Sequence, residues 1–140
     1  MGNHFFRYSW KTLSGFGAEF IARKELLAAL ISIFCFSRQL AGCLARQYTD
    51  NRSVASWLQK SRSSNLRGNT YLACWELQKY KLCCKIAPKW IEGDHNNIAD
   101  ELSRGTIPIW LEKRGSRAYC DLAYVASMIH DVELSWDLVL

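Results

Sequence analysis

The spacing of apolar positions changes several times along the chain, and each change predicts an element. Residues 3–10 alternate loosely and are rich in aromatics (His4, Phe5, Phe6, Tyr8, Trp10), which is strand chemistry. Residues 11–15 make a short turn and residues 16–21 a second strand. Together they read as a hairpin in which Gly15 and Gly17 ease the bend. Arg23 and Lys24 then precede residues 25–34, a run too long for a strand, rich in Leu and Ala and apolar nearly all round. That pattern predicts a buried helix with Glu25 at its amino end. Residues 43–49 pass from apolar to polar and predict a strand that ends at Asp50. Asn51 and Ser53 stand where short polar side chains cap a helix. The helix runs to about residue 59 and carries Val54, Ala55, Trp57 and Leu58.

Residues 60–65, Lys-Ser-Arg-Ser-Ser-Asn, form a polar, basic surface loop. Leu66, Thr70, Ala73, Leu77 and Tyr80 recur at helical spacing, so residues 66–81 predict a long helix. Residues 83–91 turn into a strand, and Pro88 within it points to an edge position or a bend. Residues 92–96 are a turn, and 97–104 a short helix bearing Asp100, Glu101 and Arg104. Past Gly105 the pattern weakens: residues 107–110 are extended or turning, and 122–128 predict one more helix. The order β-β-α-β-α-α-β-α is that of an α/β layered domain with a mixed sheet.

A chain of 140 residues fits one compact domain, and 49% hydrophobic with 22% charged residues is ordinary globular composition. The longest apolar run, residues 26–36, falls well short of the roughly 20 residues needed to cross a bilayer. No membrane partner is therefore expected, and the first ten residues lack the pattern of a signal peptide. A net charge of +5 and a pI near 9.0 lean toward polyanionic partners. The six cysteines, at 35, 43, 74, 83, 84 and 120, include no C-x-x-C pair, and the three histidines are scattered, so no zinc spacing is present. Cys35, Cys43 and Cys74 fall in apolar patterns and read as buried free thiols, which suits an intracellular compartment, cytoplasmic or nuclear.

Three acids fall at element edges: Glu25 on the buried helix, Asp50 after the central strand, Asp100 on the last short helix. Carboxylates from separate elements at one end of a sheet are what a hard divalent cation such as Mg2+ or Mn2+ needs. Two such ions about 4 Å apart can activate a water and stabilise the leaving oxygen of a phosphodiester. The structural alternative for the same residues is that Glu25 and Asp50 help cap helices while Asp100 is a solvated charge.

Three stretches tilt that balance: Lys24-Glu25-Leu26-Leu27-Ala28-Ala29, Tyr48-Thr49-Asp50-Asn51, and residues 90–104, in which Asn97-Ile98-Ala99-Asp100-Glu101-Leu102-Ser103-Arg104 is the most specific. In their order and spacing the chain resembles the ribonuclease H domain of LTR-type and DIRS-type retrotransposon reverse transcriptases, over residues 3–105. The resemblance implies a mixed five-stranded sheet flanked by helices, and metal-dependent hydrolysis of the RNA strand of RNA–DNA hybrids. It makes Glu25, Asp50 and Asp100 the metal-site carboxylates and gives His95 a part in proton transfer or product release. Asn51 and Arg52, with Lys60, Arg62 and Arg67 around the basic loop, become contacts to the nucleic acid. Trp57, Trp75 and Trp90 read as core side chains rather than base-stacking platforms.

The family carries one more carboxylate, an Asp on a first strand upstream of the hairpin. No Asp precedes Asp50 here; the earlier acids are Glu19 and Glu25. The expectation is an N-terminally truncated ribonuclease-H-like domain over residues 1–105, with two-metal catalysis sharply reduced by the missing ligand. An upstream reverse transcriptase segment is an expected partner, and residues 106–140 form an extension without an assigned role. Two rival readings stand beside this one. The first is a catalytically inactive relic that still binds nucleic acid through its basic surface; the second is a cysteine-bearing structural or redox protein.

Overall fold

The computed structural model of the chain describes residues 4–5, 21–64, 66–104 and 115–139. The buried helix forms as α1 (Ile21–Cys35), with Leu26, Leu27, Leu30, Ile31, Ile33, Phe34 and Cys35 all buried. It begins four residues earlier than the pattern predicts, so Ile21 is helical rather than the end of a strand, and Glu25 lies one turn in. Ala22, Arg23 and Lys24 are good helix formers with no breaker among them, which explains the earlier start. Apart from Ile21 and the two residues of β1 (His4–Phe5), the expected hairpin lies outside the described residues.

After a short α2 (Ser37–Leu40), Gly42 turns the chain at a φ of 71°, in the left-handed region that suits glycine, and its N–H donates to Leu82 O at 2.9 Å. Strands β2 (Leu44–Thr49) and β3 (Lys85–Trp90) then pair in parallel, in register from Leu44↔Lys85 to Thr49↔Trp90. Lys85 and Ile91 donate to Cys43 O and Thr49 O, so the odd-numbered residues of β3 turn their nitrogens toward β2. Pro88, at an even position, presents its ring nitrogen to the other side, where no ladder bond to β2 is lost.

Parallel strands need a long crossover, which α3 (Arg52–Lys60) and α4 (Leu66–Leu82) provide. The Asn51 side chain caps α3 by accepting from Val54 N at 3.1 Å, and Ser61, left-handed at φ 53°, closes it. The buried face of α4 is Gly68, Thr70, Tyr71, Leu72, Cys74, Trp75 and Gln78. The predicted stripe is therefore corrected, because Leu66, Leu77 and Tyr80 are exposed. Tyr71 and Trp75, one turn apart, bury far more area than the leucines on the other side and set the orientation of the helix.

A 3-10 turn (Gly93–His95) and α5 (Asn97–Ser103) follow β3. Beyond residue 105, β4 (Ser116–Arg117) pairs in parallel with β1, and α6 (Leu122–Val139) runs well past the predicted residue 128. Asp121 starts α6 by accepting from the backbone N–H of Ala123 and Tyr124 at 3.0 and 3.3 Å. Val125, Met128 and Ile129 enter the same core as α1 and α4, and Glu133 pairs with Arg67 at 2.6 Å.

The described residues thus form an α/β arrangement in which helices line one face of the β2–β3 pair. Ala45, Gln47, Thr49, Ile86, Pro88 and Trp90 are partly buried on that face, while Leu44, Arg46, Tyr48, Lys85, Ala87 and Lys89 are exposed on the other. Gln47 is fastened where it turns inward: its amide nitrogen donates to Ala29 O at 3.1 Å and Ser32 Oγ at 2.9 Å, and its oxygen accepts from Trp75 Nε1 at 3.1 Å. One side chain therefore ties β2 to α1 and α4, with the polar groups of the buried face satisfied. Among the described residues, no helix is long and apolar enough to cross a membrane.

Candidate carboxylate site

Asp50 is the residue at which β2 gives way to α3. Thr49 Oγ1 accepts from Asn51 N at 3.2 Å, and Trp90 Nε1 donates to Asp50 O at 3.1 Å. These bonds fix the backbone of the strand end from both sides. The 3-10 turn after β3 packs alongside: a methyl group added at Gly93 would meet Asp50 Oδ2 at 3.7 Å, ordinary van der Waals contact. Asp100 comes from the first turn of α5, where its N–H donates to Asn96 O at 3.0 Å.

Glu25 reaches the same place from α1. Its carboxyl is held above the ordinary carboxylate range, first by burial and then by the negative charge of Asp50, with a smaller push from Asp100. A hydrogen bond from the Asn51 side chain opposes the shift. Asn51 thus works twice, its oxygen capping α3 and its amide donating to Glu25. The three acids named from the sequence come from three elements, and each of the other two acts electrostatically on Glu25.

As donors, these carboxylates have the hard oxygen chemistry that Mg2+ or Mn2+ accepts, and their mutual repulsion is what a cation would relieve. In the arrangement seen, however, no three His, Cys, Asp or Glu side chains among the described residues stand close enough together to hold a metal ion. The electrostatic reach between acids is longer than one coordination sphere, so the two observations agree on a loose acidic cluster. The described cysteines likewise do not group with other ligands to hold a metal ion.

The remaining candidates fall in different places. His95 closes the 3-10 turn and is exposed. Arg52, in the first turn of α3, lays its guanidinium over the Trp90 ring at 3.9 Å from the centroid, beside the end of β2. Lys60 and Arg62 are exposed at the far end of α3, and nine helical residues put that end about 13 Å from Asp50 along the axis. Arg67 stands in the first turn of α4, where its guanidinium engages Glu133 and lies over Tyr71 at 5.5 Å. The structure therefore gathers Glu25, Asp50, Asn51, Arg52 and Asp100 near one sheet edge and leaves Lys60 and Arg62 away from it.

Two further expectations change. Trp75 is buried, but Trp57 and Trp90 are only partly so, and Trp90 serves the Asp50 backbone and Arg52. Sequence reasoning missed that role, although the position of Trp90 opposite Thr49 in the register carries the signal. Cys43 is exposed rather than buried, because it stands before the first residue of β2, where no helix covers it. Cys35, Cys74 and Cys84 are buried free thiols. Burial, with some help from Glu133, pushes the Cys74 thiol up to about 12, and burial also raises Cys84. Both are poor nucleophiles at neutral pH. No family model, no curated protein and no solved structure matches this chain, so what the site can do follows from its own chemistry.

Proposed function

We propose that the chain is a ribonuclease-H-like domain of the LTR- and DIRS-type retrotransposon kind, with a mixed sheet as its full architecture. Its reaction is hydrolysis of the RNA strand of RNA–DNA hybrids. The observation that carries this reading is the convergence of Glu25, Asp50 and Asp100, from α1, the end of β2 and α5, within electrostatic reach of one another. For that chemistry Glu25, Asp50 and Asp100 would draw in from the loose cluster to hold Mg2+ or Mn2+, which when bound supplies Lewis-acid stabilisation of charge developing on the phosphodiester. Asn51 orients Glu25 and fixes the first turn of α3. Arg52, steadied on Trp90, is placed to hold a phosphate beside the acids. His95, exposed on the turn next to Asp50, is placed to exchange protons with solvent.

A second reading has its own support. The acids do not form a tight metal-holding group among the described residues, and the basic side chains Arg52, Lys60 and Arg62 are exposed. A catalytically inactive relic that still binds nucleic acid fits those facts. One assay separates the two: a labelled RNA–DNA hybrid incubated with the chain and with Asp50→Asn, in magnesium and in manganese. The first reading predicts metal-dependent RNA-strand cleavage that the substitution abolishes or sharply reduces. Hybrid binding that falls with salt, ignores both ions and survives Asp50→Asn, with no cleavage by either chain, would establish the second.

A further inference from the structure

Among the described residues, nothing covers the face of the β2–β3 pair turned away from the helices. Leu44 is 82% exposed and Tyr48 50% exposed, and Arg46, Lys85, Ala87 and Lys89 are exposed with them. The register sets these side chains opposite one another as Leu44↔Lys85, Arg46↔Ala87 and Tyr48↔Lys89. With about 4.8 Å between strands and about 6.6 Å between alternate residues, Arg46 lies roughly 8 Å diagonally from each lysine. Lys89 and Arg46 thus flank an open tyrosine ring, and Lys85 stands roughly 14 Å from it at the amino end of the pair. Among the described residues, none of the three is paired with a carboxylate. The acids nearest in sequence, Asp50, Glu92 and Asp94, are exposed past the carboxyl ends of the two strands. An exposed sheet with unpaired cations and an aromatic ring is matched by a polyanion whose planar groups can stack.

The geometry points to the outer face of β2 and β3 as a platform for single-stranded nucleic acid, with Arg46, Lys85 and Lys89 on its phosphates and Tyr48 under a base. Single strands are favoured over duplexes because only an unstacked base offers its face to Tyr48. The platform uses none of the three acids of the carboxylate site and stands or falls independently of cleavage.

The test is fluorescence anisotropy of a labelled single-stranded RNA of mixed sequence, with the full chain, in EDTA and over a series of salt concentrations. Each phosphate contact to a single strand contributes about 0.7 to the slope of log affinity against log salt. Replacing Arg46, Lys85 and Lys89 together by Ala should therefore flatten that slope by about 2. Tyr48→Ala should weaken binding about tenfold, while Tyr48→Phe stays within about twofold of the parent. All four side chains are exposed, so an unchanged melting midpoint identifies variants that remain folded. An unaltered slope in the triple variant, or equal affinity for an RNA–DNA duplex regardless of Tyr48, would overturn the proposal. So would binding to phosphatidylserine vesicles without binding to the RNA.

Discussion

Ionising Glu25 is harder in the folded chain than in the unfolded one, because burial and the charges of Asp50 and Asp100 outweigh the hydrogen bond from Asn51. A raised carboxyl means that the folded state binds the proton more tightly, so stability falls as pH rises from the ordinary value of 4.5 through the raised one. Below 4.5 both states are protonated and the penalty is absent. Glu25→Gln, which keeps an acceptor for Asn51, should accordingly raise the thermal midpoint at neutral pH. The gain should shrink as the pH is lowered toward 4.5, as melts at a series of pH values would record. Much of this was legible beforehand, since Glu25, Asp50 and Asp100 each stand at the edge of a predicted element. The double duty of Asn51 was not, because its bond to Glu25 depends on how α1 lies across β2, and spacing along the chain carries no such distance.

Elements were legible wherever the apolar run is too long for a strand or a marked residue closes it. Helix α1 is apolar nearly all round, and its identity was plain although its start was not. Strands β2 and β3 alternate only weakly in the sequence; their end residues, Asp50 and the turn at Gly93, marked them better than their interiors did. Helix α4 shows the failure most clearly, because its apolar residues are spread round the axis and two partners, α1 and α6, compete to cover it. The buried tie between elements is equally invisible from spacing, since Gln47 looks like one more polar residue of a half-exposed strand. In the fold it answers Ala29 O, Ser32 Oγ and the buried Trp75 Nε1 at once. Gln47→Leu would leave that indole N–H without its acceptor and should lower stability by about 1–3 kcal/mol. A urea titration reads the loss as a shift in midpoint at unchanged slope.

For the molecule as a whole, the helices collect on one side of a parallel strand pair, and the acids collect at that pair's carboxyl end, where α/β sheets present their ligand sites. The contribution of residues 115–139 to the core lay beyond sequence reasoning. The pattern weakens past Gly105, and the run of apolar residues in α6 acquires meaning only once α4 is there to receive Val125, Met128 and Ile129. Glu25, Asp50 and Asp100 share one electrostatic environment, and the proposed function requires a divalent cation to neutralise it. The most direct test is an NMR titration of the Glu25 side-chain carboxyl in the chain and in Asp50→Asn, each with and without magnesium. The expected result is a Glu25 pKa above the ordinary carboxylate value that falls when Asp50 is neutralised and falls again, in the unsubstituted chain, when magnesium is added. A Glu25 that titrates at its ordinary value, unmoved by the substitution or by the ion, would contradict it.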